Sequence, residues 1–299
     1  MKRRDVLTFG AAALAAAVTG RVMSEEEGPQ VAAPAITTSA DGTPIAFEAR
    51  GEGPTVILVG GAGNNRHFPE ICALPMAELL ASSFTAVAFD RRGRGDSGNM
   101  APYAVAREVE DIAALIDAVG APAYLFGHSS GGALVLHAVM AGLDIEAAAV
   151  YEVPYSMDDT AVEEARRYSG ELDALLQAGG KKEAVRYFLA MTGMPEEMIE
   201  GMAGSPYWEP LVQSAPTLAY DVAVVEQPNR SRVPSGALSQ TSIPLLAMAG
   251  GSSPAWMQEA ARAIADAAPR GSYREFPGRD HMIEAEVVAP VLVQFFGSP

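Results

Sequence analysis

Five stretches of this chain are apolar almost without interruption: TVILVGG from Thr55, FTAVAFD from Phe84, AYLFG from Ala123, EAAAVYE from Glu146 and IPLLAMAGG from Ile243. A strand with one wet face alternates polar and apolar residues. Unbroken runs of this length suit strands covered on both faces. Covering both faces takes helices, and helical patterning lies between several of the runs. In YAVAREVEDIAALIDAVG, the residues Val105, Val109, Ile112, Ile116 and Val119 fall on one helical face. Gly120 is placed to end that helix, and Pro122 follows it. Strands alternating with helices predict an α/β fold built on a mostly parallel, doubly wound sheet. Ahead of them, ITTSADGTPIAFEARGEG reads as two strands joined at Asp41-Gly42, a hairpin signal.

The alternation stops between residues 156 and 240. That region is helical in pattern, acidic and rich in methionine, and the sheet resumes near Ile243. The expected organisation is a core of residues 35–155 and 241–299, with a helical cap over 156–240 at the carboxyl ends of the strands. Helices that merely pack on the sheet are the alternative for the insertion. Residues 1–34 form a leader and linker. MKRRDVLTFGAAALAAAVTG places basic residues before a short apolar run, as a signal peptide does, and RRDVLTFG is similar to a twin-arginine export signal. Export is the expectation, and the apolar run is too short to leave a membrane span in the mature form. A start at Met23, giving a cytoplasmic form, and a structural N-terminal helix are the alternatives.

A formal net charge of −16 over 299 residues argues against nucleic acid or an anionic membrane as the main partner. A small, neutral, partly apolar molecule is the expected partner; the oligomeric state is left open. One cysteine, Cys72, excludes an internal disulfide, and no Cys/His cluster of zinc type is present, so no metal site and no cofactor are expected. The only histidines are His67, His128, His137 and His281.

GHSSG, residues 127–131, fits G-x-S-x-G with an apolar run before it and a helical pattern after it. A nucleophile raised on a sharp strand-to-helix turn needs small neighbours so that strand and helix can approach. The turn also aims the unpaired amides of the helix start at charge developing there. Ser129 is central, and Ser130 lies in the turn behind it. With this context the chain resembles the α/β-hydrolase superfamily over residues 35–297. VILVGGAGNN is similar to that family's strand and oxyanion loop, AFDRRGRGDSG to its D-x-R-G-x-G-x-S turn, and FPGRDHMIEAE to its last strand and histidine loop.

The resemblance implies a sheet of the α/β-hydrolase type, Ser129 as nucleophile and His281 as its base. It maps the oxyanion-hole amides to Ala62 and Ser130, although Gly60 stands where the family usually has a loop-bracing histidine. Asp90 and Arg92 are expected to tie the strand end to neighbouring loops rather than to bind an anion. The usual position of the third triad member, after the strand that follows the cap, holds Ser252, Ser253 and Pro254. The family's second solution is an acid one strand earlier, where this chain has Glu152. An ionisable residue directly after the buried run AAAV needs a partner, and a histidine above the strand ends supplies one. Asp280, Asp158 and Asp159 are the alternatives.

His128 is read as pocket lining or packing, His137 as structural, and His67 as a substrate contact or a surface residue. Met194, Met198 and Met202 recur at four-residue spacing with Pro195 in the first turn of their helix. They form core between cap and sheet or line a pocket for an apolar acyl group. Trp208 and Trp256, with Tyr207, are further lining candidates. The functional expectation is a serine hydrolase cleaving a small or medium carboxylic ester or lactone through an acyl-enzyme. Carbon–carbon bond hydrolysis, cofactor-free perhydrolysis, lyase chemistry and a slow-turnover ligand receptor are the alternatives.

Overall fold

All five apolar runs form strands in the structure, a computed structural model that describes residues 33–68, 71–157, 159–227 and 229–297. They are β3 (Thr55–Val59), β4 (Thr85–Phe89), β5 (Ala123–His128), β6 (Ile145–Tyr151) and β7 (Leu245–Gly250). The hairpin at Asp41-Gly42 joins β1 (Ala35–Thr38) to an antiparallel β2 (Pro44–Arg50). The last strand, β8, is Gly271–Phe276, so only the first residue of FPGRDHMIEAE belongs to it. GSYREF is half exposed along its length because β8 is an edge strand, and it therefore carries no apolar run. The export leader expected over residues 1–34 lies, up to residue 32, outside the described residues.

The strands form one sheet in the order β1-β2-β4-β3-β5-β6-β7-β8. β2 is antiparallel to β4, and β3 through β8 run parallel. Helices α1 (Leu74–Leu80), α2 (Val105–Val119) and α3 (Ser130–Met140) connect the first parallel strands. Between β6 and β7 lie α4 (Asp159–Gln177), α5 (Lys181–Met191), α6 (Glu196–Ala203), α7 (Trp208–Ser214), α8 (Leu218–Glu226) and α9 (Ser235–Leu238). Helix α10 (Ala255–Ala267) follows β7, and α11 (Ala285–Phe296) follows β8.

The strand period of two explains why the runs are apolar throughout. Ile57 and Val59 of β3 join a core with Ile112 and Leu115 of α2, Leu134 of α3 and Ile264 of α10. Val56 and Leu58 of the same strand enter a second core with Met76 of α1 and Leu292 of α11. Both sets are fully buried, so truncating any one of these leucines or isoleucines to alanine costs about 2–5 kcal/mol. The segment between β6 and β7 has its own apolar cluster, with Leu172, Val185, Ile199, Met202, Trp208 and Leu211 at its centre. Among the described residues no helix is long and apolar enough to cross a membrane.

β3 has β4 on one side and β5 on the other, so the order of the chain reverses there. In open α/β sheets a crevice forms at the carboxyl ends of strands around such a reversal. The loop after β3 and the turn after β5 both end at this place, and they carry GGAG and GHSSG.

Candidate active site

Ser129 sits between β5 and α3 with φ 54° and ψ −126°, a left-handed backbone that costs a non-glycine residue about 1–3 kcal/mol. Its amide donates to Tyr151 O at 2.9 Å, which locks the turn to the neighbouring strand. The glycines around it answer to close approach. A Cβ on Gly131 would fall on the carbonyl oxygens of Val59 and Gly60, so only glycine lets the start of α3 pass under β3. On the facing loop, a Cβ on Gly61 would stand 3.3 Å from the Cβ of Ser129.

Glu152 follows β6 directly and is the second non-glycine residue of the site with positive φ, at 48°. Its carboxylate is 0% exposed. Oε1 accepts the Gly250 amide at 2.7 Å, and Oε2 lies 2.8 Å from His281 Nδ1. Burial on its own raises the carboxyl's pKa, but the hydrogen bond and charge of His281 outweigh it and hold the group below the ordinary glutamate value. A charged carboxylate can only accept, so Nδ1 carries a proton, and in the neutral imidazole Nε2 keeps its lone pair. The Ser253 hydroxyl, buried just after β7, lies near enough to Glu152 to help keep it ionised, without a hydrogen bond of ordinary geometry.

Two side chains fix the loop that bears His281. Tyr151 OH donates to Asp280 O at 2.6 Å, and His128 Nε2 lies 3.2 Å from His281 O. Because that acceptor is a carbonyl, the second contact puts a proton on Nε2 of His128. The two imidazoles lie 4.5 Å apart, which sets the ring of His281 over the ends of β5 and β6 beside the elbow. Asp280 turns its carboxylate to the Met282 amide at 3.0 Å. Asp158 and the side chain of Asp159 lie outside the described residues.

The amides of Ala62 and Ser130 donate to no protein acceptor among the described residues. Ala62 follows Gly61 at the close approach to Ser129, and Ser130 opens α3. Two unspent amides on either side of one hydroxyl have the makings of an anion cradle.

The remaining histidines and the apolar candidates are more scattered. His67 is half exposed, with Nε2 3.8 Å from Glu48 Oε1. His137 is half-buried, its Nε2 2.9 Å from Val224 O, and the partial burial lowers its pKa. The expected methionine helix begins later than its spacing suggests. Pro195 is the N-cap of α6 and Met194 precedes it, because proline's fixed φ suits an extended cap residue as well as a first turn. Met202 is buried in the cluster of the inserted helices, Met194 packs against that cluster, and Met198 is half buried. Trp208 belongs to the same cluster, Tyr207 stacks at a tilt on Phe68, and Trp256 is half buried at the start of α10.

The turn after β4 is rich in ion pairs. Asp90 accepts the Arg66 amide and the Asp96 amide at 2.8 Å each and pairs with the Arg66 guanidinium. Arg92 pairs with Asp111 at 2.6 Å and with Asp41 at 2.9 Å. Asp90 and Arg92 thus tie the strand end to its neighbours. Arg91 and Arg94, which the sequence reading passed over, point toward the elbow and meet Asp221 of α8. One signal was available: Asp221 is the single charge in the run TLAYDVAVV, and three of four successive residues after a buried strand are arginines that need partners.

Comparison with known proteins agrees with this architecture. Residues 56–291 match the family model described as the alpha/beta hydrolase family. The crystal structure of an alpha/beta hydrolase from Sphaerobacter thermophilus is 43% identical, covers 88% of this chain and 100% of its own, and superposes with a TM-score of 0.78. An esterase from a Rhodococcus species shares the fold at 20% identity and a TM-score of 0.68, covering 89% of this chain and 99% of its own. A Mycobacterium tuberculosis protein whose name proposes a non-heme bromoperoxidase is 25% identical over 272 residues, 85% of this chain and 98% of that one. With the match running from β3 to α11, through elbow, histidine loop and sheet alike, the chain belongs to the alpha/beta hydrolase family.

Proposed function

We propose that this chain is a serine hydrolase that cleaves small or medium carboxylic esters or lactones through an acyl-enzyme. The observation that carries the reading is the buried Glu152 carboxylate 2.8 Å from His281 Nδ1, beside a serine held in a strained turn. Ser129 Oγ attacks the carbonyl carbon while His281 Nε2 takes its proton. The carbonyl oxygen gains the charge and is met by the amides of Ala62 and Ser130. Collapse expels the alcohol, which takes the proton from His281. Water, deprotonated by the same nitrogen, then releases the acid.

A panel of p-nitrophenyl esters, lactones and amides on the wild type and on Ser129→Ala tests this. A burst of p-nitrophenol equal to the enzyme concentration is expected, and it disappears in Ser129→Ala. Hydrolysis that survives the substitution removes the mechanism. The likeness to the Mycobacterium tuberculosis protein favours a second reading, in which hydrogen peroxide replaces water at the acyl-enzyme and a peracid leaves. Peroxide-dependent halogenation that requires Ser129 and a carboxylic acid supports it. The basic start of the chain is read as an export leader, residues 1–34 being leader and linker together, and recovery of the full chain with its leader intact in the cytoplasmic fraction counts against that.

A further inference from the structure

Arg91 and Arg94 are almost completely buried, and both grip peptide carbonyls of the loop after β3. Arg94 Nη1 donates to Gly61 O at 2.7 Å, and Arg91 Nη1 donates to Gly60 O at 3.3 Å. Gly61 O belongs to the same peptide plane as the Ala62 amide. In a trans peptide the C=O and N–H bonds point in opposite directions, so a guanidinium that pins the one directs the other. The hydrogen bond also polarises the peptide and makes its N–H a stronger donor. The bracing expected of a histidine at position 60 thus comes from across the elbow.

Both guanidinium groups are held by one carboxylate. Asp221 Oδ1 accepts from Arg91 Nη1 and from Ser130 Oγ, each at 2.7 Å. Asp221 Oδ2 accepts from Arg94 Nη2 at 2.7 Å and from the Gly63 amide at 3.3 Å. The outer edges are also fixed. Arg91 reaches Glu108 at 2.7 and 2.8 Å, and Arg94 Nε reaches Thr217 Oγ1 at 3.0 Å. Ser130 carries the second free amide. Asp221 is therefore tied to both sides of the anion cradle, although it comes from α8 in the segment between β6 and β7.

We propose that Asp221, acting through Arg91, Arg94 and the Ser130 hydroxyl, is a positioning residue that aims the Ala62 and Ser130 amides at the oxyanion of the reaction. This rests on the acyl-enzyme reading above. The inserted helices then set transition-state stabilisation through the loop peptides, not through contact with the reacting atoms. A cluster that only held the fold together would leave the balance between substrate and transition-state binding unchanged in a folded variant.

The test compares wild type, Asp221→Asn and Ser130→Ala on p-nitrophenyl butyrate, with an alkyl trifluoromethyl ketone as an analogue of the tetrahedral state. Removing an oxyanion donor outright costs about 10²–10³-fold in kcat, so misaiming the pair in Asp221→Asn is expected to cost about 10- to 100-fold. KM stays within about threefold, because the ground-state carbonyl makes weaker use of the cradle. The Ki of the ketone rises by the same factor by which kcat/KM falls. Ser130→Ala keeps its amide and removes one of the four donors to Asp221, so it follows the same pattern with a smaller loss. Should Asp221→Asn not fold, Ser130→Ala and Arg94→Lys carry the test, since an ammonium cannot bridge Gly61 O and Asp221 as the guanidinium fork does. Folded variants that keep wild-type kcat, or that lose activity through KM with ketone affinity unchanged, overturn the proposal. A wild type without a Ser129-dependent burst would instead remove the acyl-enzyme reading on which it rests.

Discussion

Replacing Glu152 by glutamine changes one oxygen to nitrogen in a site with no access to water. The Gly250 amide holds Oε1 at 2.7 Å, and in the variant it continues to require an oxygen. The new NH2 group therefore faces His281 Nδ1, forces that nitrogen to accept, and moves the ring proton to Nε2, where the base is needed. Flipping the amide restores the useful tautomer but sets NH2 against the Gly250 N–H, leaving buried donors unpaired at about 1–3 kcal/mol. The charge-assisted bond that supports the imidazolium is lost as well, worth about 1.5–3 kcal/mol. Together these raise the barrier by about 2.5–6 kcal/mol, a loss of about 10²- to 10⁴-fold in kcat. The upper end is the size of loss seen when a triad histidine is left in the wrong tautomer, about 10⁴-fold. The assay is kcat and KM on a p-nitrophenyl ester near pH 7.5, with thermal unfolding beside it. The isosteric side chain should leave the midpoint within a few degrees. A folded Glu152→Gln variant within tenfold of wild-type kcat would refute the assignment.

Three further outcomes are expected. Glu108, Asp221 and Glu152 are buried, which raises their carboxyl pKa values, yet the arginines beside the first two and the His281 hydrogen bond to the third hold all three below the ordinary range. Folded values below unfolded ones give stability that is present above pH about 4 and is lost as pH falls through the folded values, so the calorimetric midpoint should drop steeply below about pH 4. Asp111, raised by burial against the pull of Arg92, works in the opposite sense, and a midpoint that climbs between pH 5 and 3 would show that it dominates. Gly131→Ala should abolish accumulation of folded protein, because the methyl lands on backbone that cannot withdraw; a soluble, active variant speaks against the tight elbow. Tyr151→Phe removes the donor to Asp280 O and should lower kcat by about three- to tenfold, in line with about 0.5–1.5 kcal/mol for one hydrogen bond, with KM unchanged.

What was legible in the sequence follows from what burial does to composition. β3 through β7 have both faces covered, so each reads as an apolar run, and the elbow reads because Gly131 admits no side chain. Glu152 was singled out by the second acid position that the family resemblance implies and by its place at the end of an apolar run. β8 was blurred because an edge strand need not be apolar. Asp221 could not be paired with Arg91 from spacing: 130 residues separate them, and a loop of that length leaves no local trace of its closure. The start of α6 was misplaced by two residues because methionine spacing is the same in a helix and in the chain that enters it.

Ser253, in the stretch after β7 where the family resemblance more often puts a third triad member, lies near the Glu152 carboxylate. That proximity constrains how such a site can change over generations. Ser253→Asp alone would press two carboxylates together away from water, and one of them must take up a proton. Loss of Glu152 alone leaves His281 Nδ1 without the carboxylate that lies 2.8 Å from it. Moving the carboxylate from one strand end to the other by single substitutions therefore passes through a protein in which both positions share one proton, or through one in which His281 has no carboxylate beside it.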